Sequence, residues 1–102
     1  MLKKNIFLKK KILIYGLGKS GLSSFHFLKK KNSISIYDDN KNITKNRIKK
    51  TFFINYKDIS DKKFDFIVIS PGINIDNCKL KKYLKINKSK IITDLDIFYN
   101  QY

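Results

Sequence analysis

Residues 11–28, KILIYGLGKSGLSSFHFL, constrain the fold more than any other stretch of the chain. Ile12-Leu13-Ile14-Tyr15 is a short apolar run that does not alternate, the pattern of a strand buried on both faces. It ends at Gly16. Gly16-Leu17-Gly18-Lys19-Ser20-Gly21 then follows G-x-G-x-x-G. Leu22, Phe25 and Leu28 recur at helical spacing, and Lys29-Lys30-Lys31 suit a helix C-terminus, so residues 20–30 read as a helix. A strand, a tight loop and a helix in that order are the first half of a βαβ unit, which requires a parallel sheet.

The remaining chain continues the alternation. Ser33 to Tyr37 reads as a second strand, closed by Asp38-Asp39-Asn40. Roughly Ile43 to Lys50 has weak helical character, and Phe52-Phe53-Ile54 reads as a short third strand. Phe64 to Ile69 is a strong fourth strand, stopped by Ser70-Pro71-Gly72. Residues 76–86 read as a helix, Ile91-Ile92 as a fifth strand and Leu95 to Tyr102 as the start of another helix. The expectation is one α/β domain over residues 1–102, Rossmann-like, with five parallel strands in the order 3-2-1-4-5 and flanking helices.

Composition excludes several classes. The 102 residues carry a formal charge of +15, but 22 of the 23 cations are Lys and Arg47 is the one Arg. Lys, Ile and Asn make up nearly half of the chain, and Glu, Ala and Trp are absent. Codon drift toward AT explains that balance better than selection for base readers or phosphate clamps, which favour Arg. A solvated lysine surface is therefore expected, with no specific nucleic acid and no membrane as partner. Cys78 is the single cysteine, so neither an internal disulfide nor a thiolate metal site can form. A reducing cytoplasm fits it. The N-terminal apolar stretch Ile6 to Leu8 is too short for a signal peptide or a membrane span.

The loop chemistry is local. Gly16 permits the turn, Gly18 lets backbone approach a ligand, and Gly21 lets the helix pack against the sheet. The helix N-terminus offers free N–H groups to a phosphate, with Lys19 and Ser20 beside it. Asp38, about twenty residues on, is placed to accept from a ribose or from a base N–H. Asp39 and Asn40 flank it and can also cap a turn. In the expected strand order, loops 16–21 and 70–72 face each other across the crevice where the order reverses, with Asp38 at its flank. His26, inside the first helix, has no acid or nucleophile in view. These features alone leave a dinucleotide, another diphosphate or a ligand-free turn open.

Taken in order, GLGKSGLS (Gly16 to Ser23), the Asp38-Asp39 pair, SPGI (Ser70 to Ile73) and TDLDIF (Thr93 to Phe98) carry a family likeness. Over residues 11 to about 100 the chain resembles the N-terminal domain of UDP-N-acetylmuramoyl-L-alanine:D-glutamate ligase, a muramyl ligase of peptidoglycan synthesis. The resemblance implies a Rossmann-like domain that holds the UDP of UDP-N-acetylmuramoyl-L-alanine. Gly18, Lys19, Ser20 and Gly21 would lie at the diphosphate and uridine. Asp38 would accept from uracil N3–H, Asp39 and Asn40 would line the same side, and Ser70, Pro71 and Gly72 would form the facing wall. Asn40 stands where some relatives place Arg, and Asp96 where a Glu is common.

The resemblance also implies ATP, Mg²⁺ and D-glutamate for the full-length ligase. This sequence has no G-x-x-x-x-G-K-[ST], so no ATP or other cofactor is expected on it, and no catalytic or metal-ligating residue. Gly18-Lys19-Ser20 is only superficially similar to that motif. The expectation is an isolated, monomeric first domain that binds the UDP-sugar weakly and catalyses nothing by itself. An NAD(H)-binding Rossmann module is the alternative that the loop and Asp38 also allow.

Overall fold

The computed structural model describes residues 7–40 and 48–99. Four strands, β1 (Lys11–Tyr15), β2 (Ser33–Tyr37), β3 (Phe66–Ile69) and β4 (Ile91–Ile92), form one parallel sheet in the order β2-β1-β3-β4. The register sets Ile12 beside Ile34 and Phe66, and Ile67 beside Ile91. The helices are α1 (Lys19–Leu28), α2 (Tyr56–Ile59), α3 (Lys81–Ile86) and α4 (Asp94–Tyr99).

Side-chain alternation along the strands builds two cores. Ile12, Ile14, Ile34, Ile36 and Val68 point to one face, where Phe25 and Leu28 of α1 and Ile97 of α4 cover them. Leu13, Tyr15, Ile67 and Ile69 point to the other, under Ile59 of α2 and Leu80 and Leu84 at α3. Both faces of β1 are thus dry, with Ile12, Leu13, Ile14 and Tyr15 fully buried, which is why the run shows no polar alternation. Helices on both faces of a parallel sheet are the doubly wound arrangement expected of the sequence.

Among the described residues the expected five strands are four. Phe52-Phe53-Ile54 does not form a strand. Lys50–Phe52 winds into one 3₁₀ turn, and only a single bridge, Phe53 to Ile36, reaches β2. Ile54 N–H donates to the Ile36 carbonyl at 2.9 Å, and Phe52 packs edge-on against Phe25 with ring centroids 4.9 Å apart. Three apolar residues between Lys49-Lys50-Thr51 and Asn55 are too few to sustain a ladder, and their aromatic rings are claimed by the core instead. The segment still lies at the β2 edge, where the order 3-2-1-4-5 requires it, so the observed order is that order without its outer strand.

The helix expected over 76–86 begins at Lys81. Asn74 Oδ1 accepts from Asp76 N–H at 3.0 Å and the Asn74 carbonyl from Asn77 N–H at 3.1 Å, a local turn that competes with helix. The short α2 went unforeseen. The helix expected over roughly Ile43 to Lys50 lies outside the described residues as far as position 47, and Leu95 to Tyr102 is described only to Tyr99. That last helix opens with a reciprocal cap. Asp96 Oδ2 accepts from Thr93 N–H at 2.9 Å, and Asp96 N–H reaches Thr93 Oγ1 at 3.4 Å, so the TDLD motif earns its start as a capping box with Asp in the acidic position. Among the described residues no helix is long and apolar enough to cross a membrane.

Candidate functional site

The glycine loop is braced from both neighbouring strands. Gly16 N–H donates to the Tyr37 carbonyl at 2.8 Å, beyond β1 toward β2. On the other side Ser70 Oγ–H donates to the Gly16 carbonyl at 2.9 Å. Gly16 has φ +92°, and a Cβ there would meet Ile73 Cδ1 at 2.8 Å and Ser70 Oγ at 2.9 Å. Only glycine fits on both counts. Leu17 N–H then donates to Asp38 Oδ2 at 2.7 Å. The loop is a fixed platform with its position set by the ends of β2 and β3.

Beyond the braces, the chain enters α1 with Gly18 as N-cap, extended at φ −87° and ψ −163°. No side chain caps this end and its first turn holds no acid. The leading N–H groups of Lys19, Ser20 and Gly21 have no intrahelical acceptor, and the helix dipole makes this end positive. A Cβ on Gly18 would meet nothing within 4 Å, whereas one on Gly21 would fall 2.1 Å from the Gly16 carbonyl oxygen. The two glycines therefore do different work. Gly18 keeps the approach open, and Gly21 closes the helix onto the loop.

A cavity of about 390 Å³ sits over this end of the sheet. Gly18, Lys19 and Ser20 form one wall, Ser70, Pro71 and Gly72 the opposite wall, and Asp38 and Asp39 the flank. Those eight candidate residues are brought together. Gly21 is buried beneath the loop. Asn40 lies apart, in an adjoining cavity of about 700 Å³ with Tyr37, Asn55 and Tyr56, and Asp38 lines both. The sequence reading missed Tyr15, Leu17 and Ile73, which also line the first cavity. Ile73 belongs to the SPGI stretch, so a signal existed; Tyr15 was hidden inside a strand pattern.

The acids are held by donors from the scaffold. Asp38 Oδ1 accepts from Asn40 N–H at 2.8 Å while Oδ2 takes Leu17. A carboxylate has about four lone-pair sites, so two remain for a ligand N–H. Asp39 Oδ2 accepts from the Tyr15 hydroxyl at 2.6 Å and, at 3.5 Å, from Lys79 N–H. Burial, followed by the bond to Asp39, pushes the Tyr15 phenol well above its ordinary range. Burial and then the Asp39 charge raise Tyr37 as well. Both phenols stay protonated donors through neutral pH. Ser70, expected as part of the wall, spends its hydroxyl proton on Gly16. His26 lies exposed in the last turn of α1, its Nδ1 3.5 Å from Lys29 Nζ, remote from the cavity.

Comparison with known proteins bears on the same residues. The family model for the Mur ligase MurD-like N-terminal domain matches residues 10–92. Among curated proteins the chain is similar to the UDP-N-acetylmuramoylalanine--D-glutamate ligase of Lachnoclostridium phytofermentans, 38% identical over 104 residues, covering 92% of this chain and 23% of that protein. The Rickettsia bellii protein of the same name is 33% identical over 96 residues, covering 91% and 21%. That of Oenococcus oeni is 30% identical over 95 residues, covering 91% and 20%. The chain thus spans about a fifth of the length of the curated relatives it matches.

Proposed function

The chain belongs to the MurD-like N-terminal-domain family of the Mur ligases, and on that premise we propose that its cavity holds the UDP moiety of UDP-N-acetylmuramoyl-L-alanine in peptidoglycan-precursor synthesis. The observation that carries the reading is the uncapped, acid-free N-terminus of α1, opening onto a cavity with a fixed carboxylate at its flank. The diphosphate takes the N–H groups at Gly18 to Ser20, with Lys19 as mobile counter-charge. The uracil N3–H donates to Asp38, which its two backbone donors hold in orientation. Asp39 lines the base side, with Asn40 in the adjoining cavity that Asp38 also lines, and Pro71 and Gly72, both exposed, supply a wall that backbone can approach closely.

Addition of D-glutamate with ATP is proposed for the whole ligase, not for this chain. The role proposed for this domain is to bind and orient the sugar nucleotide. The test is an NMR titration of the labelled 102-residue chain with UDP-N-acetylmuramoyl-L-alanine and, separately, with NADH. Shifts centred on residues 16–21, 38–40 and 70–73 with the UDP-sugar are expected. Stronger shifts with NADH would replace this reading with that of a dinucleotide module.

A further inference from the structure

The N-terminal ends of all four strands meet at the end of the sheet opposite the cavity, and lysines lead into every one of them. Lys9 to Lys11 enter β1, Lys29 to Lys31 precede β2, Lys62 and Lys63 precede β3, and Lys88 and Lys90 precede β4. Those ten lysines share their end with two acids, Asp61 and Asp65. At the cavity end the described residues carry Lys19, Lys57, Lys79, Lys81 and Lys82 against Asp38, Asp39, Asp58, Asp76, Asp94 and Asp96. Codon drift explains how many lysines the chain has. It does not explain why the described ones gather at one end of a parallel sheet.

The gathering is built, not accidental to loose tails. Asn32 ties the first two triplets together. Its Oδ1 accepts from Lys10 N–H at 3.0 Å, and its Nδ2 donates to the Phe7 and Leu28 carbonyls, both at 3.0 Å. Lys9 N–H donates to the Lys31 carbonyl at 2.7 Å, and Ser33 N–H to the Lys10 carbonyl at 2.9 Å. The main chains of the two lysine triplets are thereby held side by side, and Leu8, Lys9, Lys11, Lys30 and Lys31 line a shallow hollow there, while the Lys29 ammonium turns back over the Phe25 ring at 5.5 Å. Leu8, which lines the hollow, is 45% exposed; Phe27 in the last turn of α1 is 42% exposed and Ile86 at the end of α3 83%.

We propose that this lysine face docks the domain on an anionic lipid bilayer, with the nucleotide cavity turned away from the surface. Lysine is the cation suited to a fluid array of phosphate headgroups, which demands charge without fixed bidentate geometry. Leu8, Phe27 and Ile86 add the shallow apolar insertion that interfacial binding uses. This inference does not rest on the nucleotide reading, because the two sites occupy opposite ends of the sheet.

The test is co-sedimentation of the 102-residue chain with phosphatidylcholine vesicles, with and without phosphatidylglycerol. Each lysine near an anionic surface contributes roughly fivefold to partition. Replacing Lys29, Lys30 and Lys31 together with Gln should therefore lower binding on the order of a hundredfold at low salt. The charge-matched triple Lys57→Gln, Lys81→Gln, Lys82→Gln, placed elsewhere, should lose no more than about fivefold, through net charge alone. Lys→Arg at 29–31 should bind like the parent, and amide spectra of every variant verify the fold. Leu8→Ser with Phe27→Ser should make binding more salt-sensitive. Equal loss in both Gln triples would overturn the proposal. So would failure to bind phosphatidylglycerol vesicles, or release from them by an equimolar short single-stranded RNA, which would assign the face to nucleic acid.

Discussion

Asp38 Oδ2 accepts the backbone N–H of Leu17 at 2.7 Å, so the residue proposed to recognise the base also fixes the loop proposed to hold the phosphates. Replacing Asp38 therefore damages two functions together. Asp38→Ala should cost about 1–2 kcal/mol of stability through the lost bonds to Leu17 and Asn40. Binding of the UDP-sugar should weaken at least tenfold. Asp38→Asn keeps one acceptor and should recover part of the stability but little of the affinity. Thermal melts and NMR titrations of the two variants check this. An unmoved Leu17 amide resonance in Asp38→Ala would show that the tie is not made.

Gly18 and Gly21 separate binding from folding. A Cβ at Gly21 would lie 2.1 Å from the Gly16 carbonyl oxygen, and Gly16 is pinned by Tyr37 and Ser70. Gly21→Ala should cost about 3 kcal/mol or more, the upper range for overpacking a rigid site. Gly18 has open space at its Cβ. Gly18→Ala should change stability by less than about 1 kcal/mol, an N-cap effect, yet weaken UDP-sugar binding by about tenfold because a methyl then stands where phosphate must approach. Chemical denaturation and titration of both variants distinguish the roles. Equal destabilisation of the two would refute the division.

Sequence made much of this legible because glycines and buried strands are constrained locally. Gly16 needs a positive φ, and β1 needs apolar residues on both faces, so each announces itself in one stretch of chain. The edge at Phe52 to Ile54 was not legible. Whether three apolar residues pair as a strand depends on Phe25 and Ile36, far away in sequence, and those partners took the aromatic rings while leaving one bridge. Asp38 was found by its spacing, but its bond to Leu17 was not, since a carboxylate's partners are settled by tertiary placement. Taken one run at a time, the lysines are an ordinary solvated surface. Only the parallel topology shows that four such runs share one end.

Tyr15 and Asp39 set an alkaline limit. Burial first, and the Asp39 bond next, raise the Tyr15 phenol above the unfolded value of about 10, and Tyr37 and Tyr83 are raised by burial too. Below pH 10 all three are protonated whether folded or not, and their contribution is fully present. Above it the unfolded chain releases protons that the folded chain keeps, so stability falls as pH rises. Urea unfolding measured from neutral pH to pH 11 should show a decline that begins near pH 10. Tyr15→Phe should cost about 1 kcal/mol at pH 7, a hydrogen bond's net worth, and should make the alkaline decline shallower. A variant with the parent's alkaline slope would mean that Tyr15 does not hold its proton there.

Ser24 offers the opposite outcome, a substitution that strengthens the domain. It sits inside α1 with no exposed surface, and its Oγ has no hydrogen-bond partner among the described residues. Burying a hydroxyl without a partner costs about 1–3 kcal/mol, and Ser is roughly half a kcal/mol poorer than Ala within a helix. Ser24→Ala should therefore stabilise by about 1–2 kcal/mol, raising Tm by about 4–8 °C for each kcal/mol in a domain of this size. Ser23, one position earlier and exposed, supplies the control. Ser23→Ala should gain only the helix-propensity part, within about 0.5 kcal/mol, so the difference between the two variants isolates the buried hydroxyl. Neither change touches the loop, and UDP-sugar titration should return the parent's affinity for both. A loss of stability in Ser24→Ala would show instead that the hydroxyl is satisfied in solution, for which a bond to a carbonyl one turn earlier in α1 is the nearest source.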